Sequence, residues 1–323
     1  MSDGGAGRNA RPREAQPGAR ASPRVRRRPL RRAARVGYGT AMLCDEDVET
    51  FWRNGVVCLR GVLPAEWTER LAVAVEEVIE ARDGTDLSAM ASQIDSGGGK
   101  VLRDAPVPGA PRGRFFGGTD HWRRHQAFRD FALASPLPRL VAGLLRSRRV
   151  TLYEDSLLVK EPGTPERTAF HQDMAYFHVT GDQVCTTWCP LDQVSVETGA
   201  VQYVRGSHLW TTEFRPNFFV STDAIPGTEG EPVPDVAAEP DRYDIVSFES
   251  GPGDVVVHHA RTIHGAAGNA SATRRRRAIS VRYCGDDARF HRRPGAPLKP
   301  WQEHAREGDP LGSEDSPVAF AGA

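Results

Sequence analysis

Residues 171–210 read HQDMAYFHVTGDQVCTTWCPLDQVSVETGAVQYVRGSHLW, and the fold follows from how this stretch is parsed. Short runs rich in β-branched and aromatic residues (VCTTWCPL, GAVQYV) alternate with turns marked by Gly, Asp and Pro, the texture of a sandwich or barrel. The stretch opens with His171-Gln172-Asp173. On an extended strand residues i and i+2 point to one face, so this imidazole and this carboxylate are expected to converge. A second histidine-bearing segment, GDVVVHHARTIHG at 253–265, offers His264 as a third ligand. Two histidines and one carboxylate form the facial set that holds non-heme Fe(II) and leaves coordination positions open. His-x-Asp alone is common by chance, so its neighbours decide its meaning.

Working outward, VTLYEDSLLVK reads as a strand ended by Pro162-Gly163, and FHQDMAYFHV as one continuous strand. Residues 211–244 are largely polar and Pro-rich with no periodic core signal, which in a compact domain marks a lid or a disordered loop. Strands resume at YDIVSFE, DVVVHH and RRAISVRY. Upstream, Val48, Phe51 and Trp52 fall at helical spacing behind Asp45 as a possible N-cap, and Gly55–Leu59 reads as a buried strand. Pro64 opens a helix to about Ala81 with Trp67, Leu71, Val75, Val78 and Ile79 on one face. Residues 85–118 read as loop; their GGGK run lacks phosphate-loop spacing. One helix over TDHWRRHQAFRDFALAS and another over Leu137–Leu145 follow. His121 and His125, four apart without an adjacent Glu, read as packing histidines. The sum is an α+β protein with a mainly β, jelly-roll core and N-terminal helices flanking it. The expected division is a disordered Arg-rich tail at 1–40, one domain at 41–295 with its β core at about 150–290 and its lid at about 211–244, and a C-terminal tail at 296–323.

Composition narrows the function classes. The chain has 323 residues, 39% of them apolar, enough for one large core. No run of 18 apolar residues exists, which argues against a membrane span. Net charge is zero, yet residues 1–36 hold eleven Arg against Asp3 and Glu14, a local +9 that leaves −9 for the rest. That segment lacks the apolar surface to offset ordering, so disorder is expected. With a negative body and no basic stripe near the ligands, nucleic acid is not an expected partner. The five cysteines show no paired or zinc-ligand spacing, which points to a reducing compartment, here the cytoplasm.

Taken together, HQDMAYF, GAVQYVRGSH and GDVVVHHARTIHG with Asn269 and RRAIS resemble the phytanoyl-CoA dioxygenase family over roughly residues 45–290. The resemblance implies a double-stranded β-helix (cupin-like) core and an enzyme that uses Fe(II), 2-oxoglutarate and O2, releases succinate and CO2, and hydroxylates an unactivated C–H bond. It places the iron on His171, Asp173 and His264; His258 and His259 compete for the distal role, but the family has a histidine five residues before that ligand, which makes His259 a packed neighbour of the site. It also implies an arginine about eleven residues past the distal histidine to hold the 2-oxoglutarate carboxylate, a task suited to a planar fork. Counting from His264 gives Arg275, whereas strand phase from AISVRY gives Arg276, which is preferred. Trp188 and Lys160 match further co-substrate positions. Ala266 departs from the family, which often has Ser or Thr there, so a hydrogen bond to the co-substrate is missing or comes from elsewhere. Related halogenases replace the carboxylate with Gly or Ala, so Asp173 favours hydroxylation over halogenation.

Substrate contacts are expected from Met174, Tyr176, Phe177 and Arg215, a mixture that fits a small metabolite or natural-product intermediate better than a long acyl-CoA. Desaturation, epoxidation or cyclisation with the same cofactors are the alternatives within the class. A non-catalytic metal-binding jelly roll is the alternative outside it, although such a module needs no co-substrate arginine. Oligomeric state is not readable from the sequence.

Overall fold

The computed structural model describes residues 43–322; the Arg-rich segment lies outside them. In chain order the elements begin with α1 (Asp45–Asn54), β1 (Val56–Leu59), α2 (Ala65–Glu80), β2 (Thr85–Asp86), α3 (Leu87–Ser96) and β3 (Phe115–Thr119). Next come α4 (Gln126–Ala134), α5 (Leu137–Leu144), β4 (Arg149–Lys160), β5 (Thr168–His171), β6 (Val179–Thr180), β7 (Val184–Pro190) and β8 (Val201–Val204). The chain ends with β9 (Ile245–Ser247), β10 (Val255–His259), β11 (His264–Ala266), β12 (Arg276–Cys284), β13 (Arg289–Phe290) and β14 (Val318–Ala321).

The larger sheet runs β1-β10-β7-β12-β4-β3-β2, with β14 also paired to β4; the smaller runs β5-β11-β8-β9. All of these pairings are antiparallel. The two sheets form the jelly roll, and β6 with β13 make a short separate ribbon.

The larger sheet is apolar outside and polar inside. Leu157, Val159, Cys185, Cys189, Val255, Val257, Ile279, Val281 and Tyr283 join one core with Phe51 of α1, Leu71, Val75 and Val78 of α2, Phe128 and Phe131 of α4, and Leu140 and Leu144 of α5. Each side chain buried there contributes roughly 1.5–3 kcal/mol. The alternate positions, among them Ser156, Thr186, Trp188, His258, Arg276, Ser280 and Arg282, face the lumen between the sheets. Period-two alternation thus sends one set of residues to stability and the other to chemistry. It also explains why all but two residues of β4 are buried.

Local chemistry sets the helix ends. Three acids, Asp45, Glu46 and Asp47, occupy the first turn of α1, where the helix dipole favours them. The N-cap is Cys44, one residue before the expected Asp45, and its N–H donates to the Asp47 carboxylate at 3.0 Å. Gly55 ends α1 at φ 76°. A Cβ there would lie 2.5 Å from His208 Nδ1 and from Thr262 Oγ1, so the turn and the packing both require glycine.

Four expectations need correction. Residues 85–118 are not all loop: α3 is capped by Asp86, which accepts the Ala89 N–H at 2.9 Å, and β3 follows the Pro-rich stretch. The helix expected from Thr119 starts only at Gln126, after a 3-10 turn over His121–Arg123. FHQDMAYFHV is not one strand, because β5 stops at His171 and Asp173–Tyr176 forms a 3-10 turn. Residues 296–322 pack on the domain rather than trailing from it: β14 pairs with β4, and Lys299 binds Asp120 and Glu154.

Asp155, on the helix side of β4, is 1% exposed. Burial, with the nearby charges of Asp120 and Glu154, pushes its carboxyl up to about 7, against the lowering effect of the Trp122 N–H and Arg282. The folded state therefore holds this proton more tightly than the unfolded one. The resulting penalty is absent below about pH 4, grows as pH rises, and is complete above about 7. Asp155→Asn keeps an acceptor for the Trp122 N–H, and thermal denaturation should show it raising Tm by several degrees at pH 8 and by less at pH 5.5. An equal effect at both pH values would contradict the buried-acid account.

Candidate metal and co-substrate site

β5 and β11 are paired in the smaller sheet with His171 opposite His264, so the two imidazoles meet across one ladder. Asp173 joins them from the 3-10 turn that follows β5. All three are buried, and one ligand atom from each lies within 4.8 Å of the others. His171 Nε2 is 3.6 Å and His264 Nε2 is 3.7 Å from Asp173 Oδ1, so one ion can reach all three.

Hydrogen bonds outside the triad fix the ligand atoms. His171 Nδ1–H donates to the Ala169 carbonyl at 2.8 Å, and His264 Nδ1–H to the Thr262 carbonyl at 2.9 Å. Both imidazoles therefore turn the Nε2 lone pair inward, the tautomer a metal needs. Burial, reinforced by His171 and by His258 of β10, holds His264 well below its usual pKa and keeps it neutral. On Asp173, Oδ2 accepts the Thr186 hydroxyl and the His258 Nε2–H, the latter at 3.2 Å, which leaves Oδ1 toward the histidines. Burial alone would raise the Asp173 carboxyl, but the Arg282 guanidinium and the His258 N–H beside it hold it well below the usual carboxylate range, so it stays ionised. Neutral imidazoles with one carboxylate are the donor set that suits Fe(II), and the residues present fit that ion.

Of the four consecutive arginines, three are engaged outside the lumen. Arg274 pairs with Glu197, Arg275 with Glu76 and Glu161 at 2.8 and 2.7 Å, and Arg277 with Glu76 and Asp192 at 2.6 and 2.7 Å. Arg276 points inward, 1% exposed, with its Nε unpartnered and, among the described residues, no carboxylate at salt-bridge distance. Burial lowers its pKa to about 10, leaving it charged at neutral pH. Its guanidinium lies 5.8 Å from the Trp188 ring centre, and both residues line a narrow chamber with the three ligands, Thr168, Ala266 and Ser280. Trp188 Nε1 and Tyr203 Oη are also buried without partners. A buried cation with orphaned donors beside a metal set is a cradle for a small dicarboxylate, and 2-oxoglutarate fits it. Thr168 stands opposite Ala266 in the β5–β11 pairing and brings to this wall a hydroxyl that Ala266 lacks.

Other expected residues fall elsewhere. Lys160 sits opposite Arg276, but its ammonium donates to the Ala267 carbonyl at 2.7 Å and lies over Phe115, outside the chamber lining. His259 faces away, with Nε2 on the Asp182 carbonyl at 2.8 Å and its ring beside Phe51, Trp52 and His208. A second cavity of about 390 Å³ opens beside His171 and Asp173, and Tyr176 and Phe177 line it. Met174 does not. Residues three apart eclipse in a 3-10 turn, so Tyr176 shares the side of Asp173 while Met174 turns toward Tyr153 and Phe177. Arg215 lines a separate hollow with Asn217 and Val236. The 211–244 segment reaches the site through Phe219, whose ring centre is 5.3 Å from that of His171.

Sequence reasoning missed Thr186, His258, Glu154 and Arg282. Alternation held a signal for His258: Val255 and Val257 are core, so His259 shares their face and His258 takes the other.

The protein-family model for phytanoyl-CoA dioxygenase (PhyH) matches residues 51–278. The chain belongs to the phytanoyl-CoA dioxygenase family. It is 31% identical over 153 residues to a probable alpha-ketoglutarate-dependent hypophosphite dioxygenase of Stutzerimonas stutzeri, a match covering 46% of this chain and 51% of that protein. The match thus spans about half the length of that relative. Among solved structures, the non-heme alpha ketoglutarate dependent carbocyclase SnoK from nogalamycin biosynthesis superposes with a TM-score of 0.65 at 24% identity, covering 87% of this chain and 99% of its own. The epimerase SnoN, in complex with Fe3+, alpha ketoglutarate and nogalamycin RO, does so with 0.61 at 23%, covering 85% and 98%. At these identities the likeness establishes the jelly-roll fold. Membership places it in a family of Fe(II)- and 2-oxoglutarate-dependent oxygenases, and the convergent His171, Asp173 and His264 fit that chemistry. No helix of the described residues is long and apolar enough to cross a membrane.

Thr186→Val removes the hydroxyl that holds Asp173 Oδ2 without changing shape. Anaerobic Fe(II) titration should show affinity falling about tenfold, the usual cost of losing a partner behind a ligand. Thr187→Val, whose hydroxyl instead bonds the Val281 carbonyl at 3.1 Å, should leave it unchanged.

Proposed function

We propose that this oxygenase hydroxylates an unactivated C–H bond of a small organic molecule, a natural-product intermediate or similar metabolite, in a reducing cytoplasm. In this reading His171, Asp173 and His264 hold the iron and Arg276 anchors 2-oxoglutarate. The observation that carries it is the buried, carboxylate-free Arg276 in the chamber that contains the inward Nε2 atoms of both histidines. Iron and 2-oxoglutarate, when bound, supply oxygen activation coupled to loss of CO2 and formation of succinate.

The chain's own residues orient and shield. Arg276, with Trp188 at its face, binds the far carboxylate and so sets how the co-substrate meets the metal. The hydroxyls of Thr168 and Ser280 line the same chamber and offer further donors. Thr186 and His258 keep Asp173 ionised and aimed, and retention of that carboxylate favours oxygen transfer over halide transfer. Lys160 acts indirectly, fixing the Ala267 carbonyl behind Arg276.

Leu87, Leu158, Phe177, Phe219 and Ile225 make the cavity beside the ligands largely apolar. Such walls exclude water and receive carbon, which argues for an organic substrate rather than a small phosphorus oxyanion. The buried thiols of Cys185, Cys189 and Cys284, none in a disulfide, suit the reducing location. Carbocyclisation, the reaction named for SnoK, begins with the same hydrogen removal and is the second reading. Product mass separates the two: hydroxylation adds one oxygen, whereas ring closure removes two hydrogens.

Anaerobic titration with Fe(II) and 2-oxoglutarate tests the site. Wild type should develop the weak visible charge-transfer band of the chelate, and His171→Ala should not. Arg276→Met should weaken 2-oxoglutarate at least thirtyfold, with Arg275→Met within twofold of wild type. Iron-loaded wild type that shows no band would sink the co-substrate assignment.

A further inference from the structure

The cavity beside the metal ligands is apolar at its sides and charged at its floor, where Glu154, Ser156 and Arg282 lie. The β4–β12 register builds this floor by setting Arg282 opposite Glu154 and Ser280 opposite Ser156 on the lumen face. Arg282 is 9% exposed, and its Nε is 3.9 Å from Asp173 Oδ2.

The donors of Arg282 are largely unmatched. One terminal N–H donates to the Ser156 hydroxyl, while Nε has no hydrogen-bond partner. Glu154 Oε1 lies 3.8 Å from that Nε, too far for a hydrogen bond. Glu154 is itself committed elsewhere, since Lys299 donates to its Oε2 while also binding Asp120 at 2.8 Å. The enclosed Nε is out of reach of a cavity ligand, but the second terminal nitrogen of Arg282 has no acceptor among the described residues, and whatever fills the cavity is positioned to supply one.

We propose, building on the oxygenase reading above, that Arg282 is a substrate-binding residue and that the substrate is a mainly apolar molecule carrying a carbonyl or carboxylate oxygen, which Arg282 receives. A group with donors only would leave the guanidinium unmatched and meet its charge. A phosphate dianion would bring two negative charges beside the carboxylates of Glu154 and Asp173. Because Arg282 adjoins Asp173, the C–H bond presented for oxidation lies close to that oxygen along the substrate skeleton.

Isothermal titration with three probes that share a phenylpropyl body tests this: 4-phenylbutyrate, 5-phenylpentan-2-one and 4-phenylbutylamine. The full-length protein is loaded with Mn(II) and 2-oxoglutarate under exclusion of oxygen. Binding of 2-oxoglutarate is measured first; its failure overturns the co-substrate reading alone, and the probe titrations repeated without it still decide this proposal. Wild type should bind the acid or the ketone at least tenfold more tightly than the amine, the tighter of the two identifying the oxygen as carboxylate or carbonyl. Arg282→Leu should erase the preference. Arg282→Gln, which keeps an amide donor for Ser156, should erase it too, so a folding defect in the leucine variant does not shelter the idea. The proposal is overturned if the amine binds as well as the others, if no probe binds wild type at millimolar concentration, or if the preference survives in a folded Arg282 variant.

Discussion

An ionised carboxylate that is only 4% exposed persists only where donors and cations surround it. Asp173 has the Thr186 hydroxyl and the His258 imidazole on one oxygen, with Arg282 close by, and this leaves the other oxygen for a metal. Those three partners arrive on three different strands, β7, β10 and β12. Their mutual register is therefore what the site depends on. Thr186 pairs with His258 across β7–β10 and with Arg282 across β7–β12, so one cross-sheet row delivers all three. A slip of one residue would turn Val257 or His259 into the lumen in place of His258 and leave the carboxylate unmatched.

Strand β12 also spaces the chemistry. Arg276 and Arg282 share its inward face six residues apart, roughly 20 Å of extended chain. The chamber lined by Arg276 and the cavity floored by Arg282 share His171, Asp173 and Arg282 itself. Two cations on one strand thus both face the ligand set, and a bulge between Arg282 and Tyr283 shifts the register with β4 just beyond the second.

Much of this was legible in the sequence. Periodicity located α2 and α5, and alternation located β4, β7, β10 and β12, because their apolar faces meet one large core. The convergence of His171, Asp173 and His264 was legible because the motifs around them, and not their spacing alone, singled them out, and strand phase put Arg276 rather than Arg275 on the inward face. What was not legible arises from local geometry that competes with pattern. Asp173 reaches the metal side from a 3-10 turn, so strand logic gave the right convergence for the wrong reason and misplaced Met174. Helix α3 was hidden by the Gly and Pro around it, although Leu87, Met90, Ala91 and Ile94 carry helical spacing behind the Asp86 cap. Glu154 and Arg282 escaped notice because a charged residue on a strand reads as solvated until the pairing that buries it is known.

A lumen lined by His, Asp, Lys and Arg contributes little hydrophobic stabilisation, so the larger sheet draws its own from the opposite face, under α1, α2, α4 and α5. The smaller sheet has no such cover, and its outer face meets the 211–244 segment through Phe214 and Val236 against Phe170 and Ile263. That segment is tied to the site wall: the Ala169 N–H donates to the Phe219 carbonyl at 2.7 Å, and the Asn217 amide to the Phe170 carbonyl at 3.0 Å. Phe219 itself holds φ at 64°, a left-handed conformation that costs a bulky residue on the order of 1–3 kcal/mol. Its neighbours impose that angle, since the Phe219 N–H is also taken by Asn217 Oδ1 at 2.9 Å. The strained backbone sets the ring 5.3 Å from His171 and 6.1 Å from Phe115, where it forms a wall common to the chamber and the cavity. Relaxing the strain would draw the ring away from His171 and open that wall, so the backbone strain at Phe219 and the closure of the chamber over His171 are two aspects of one arrangement.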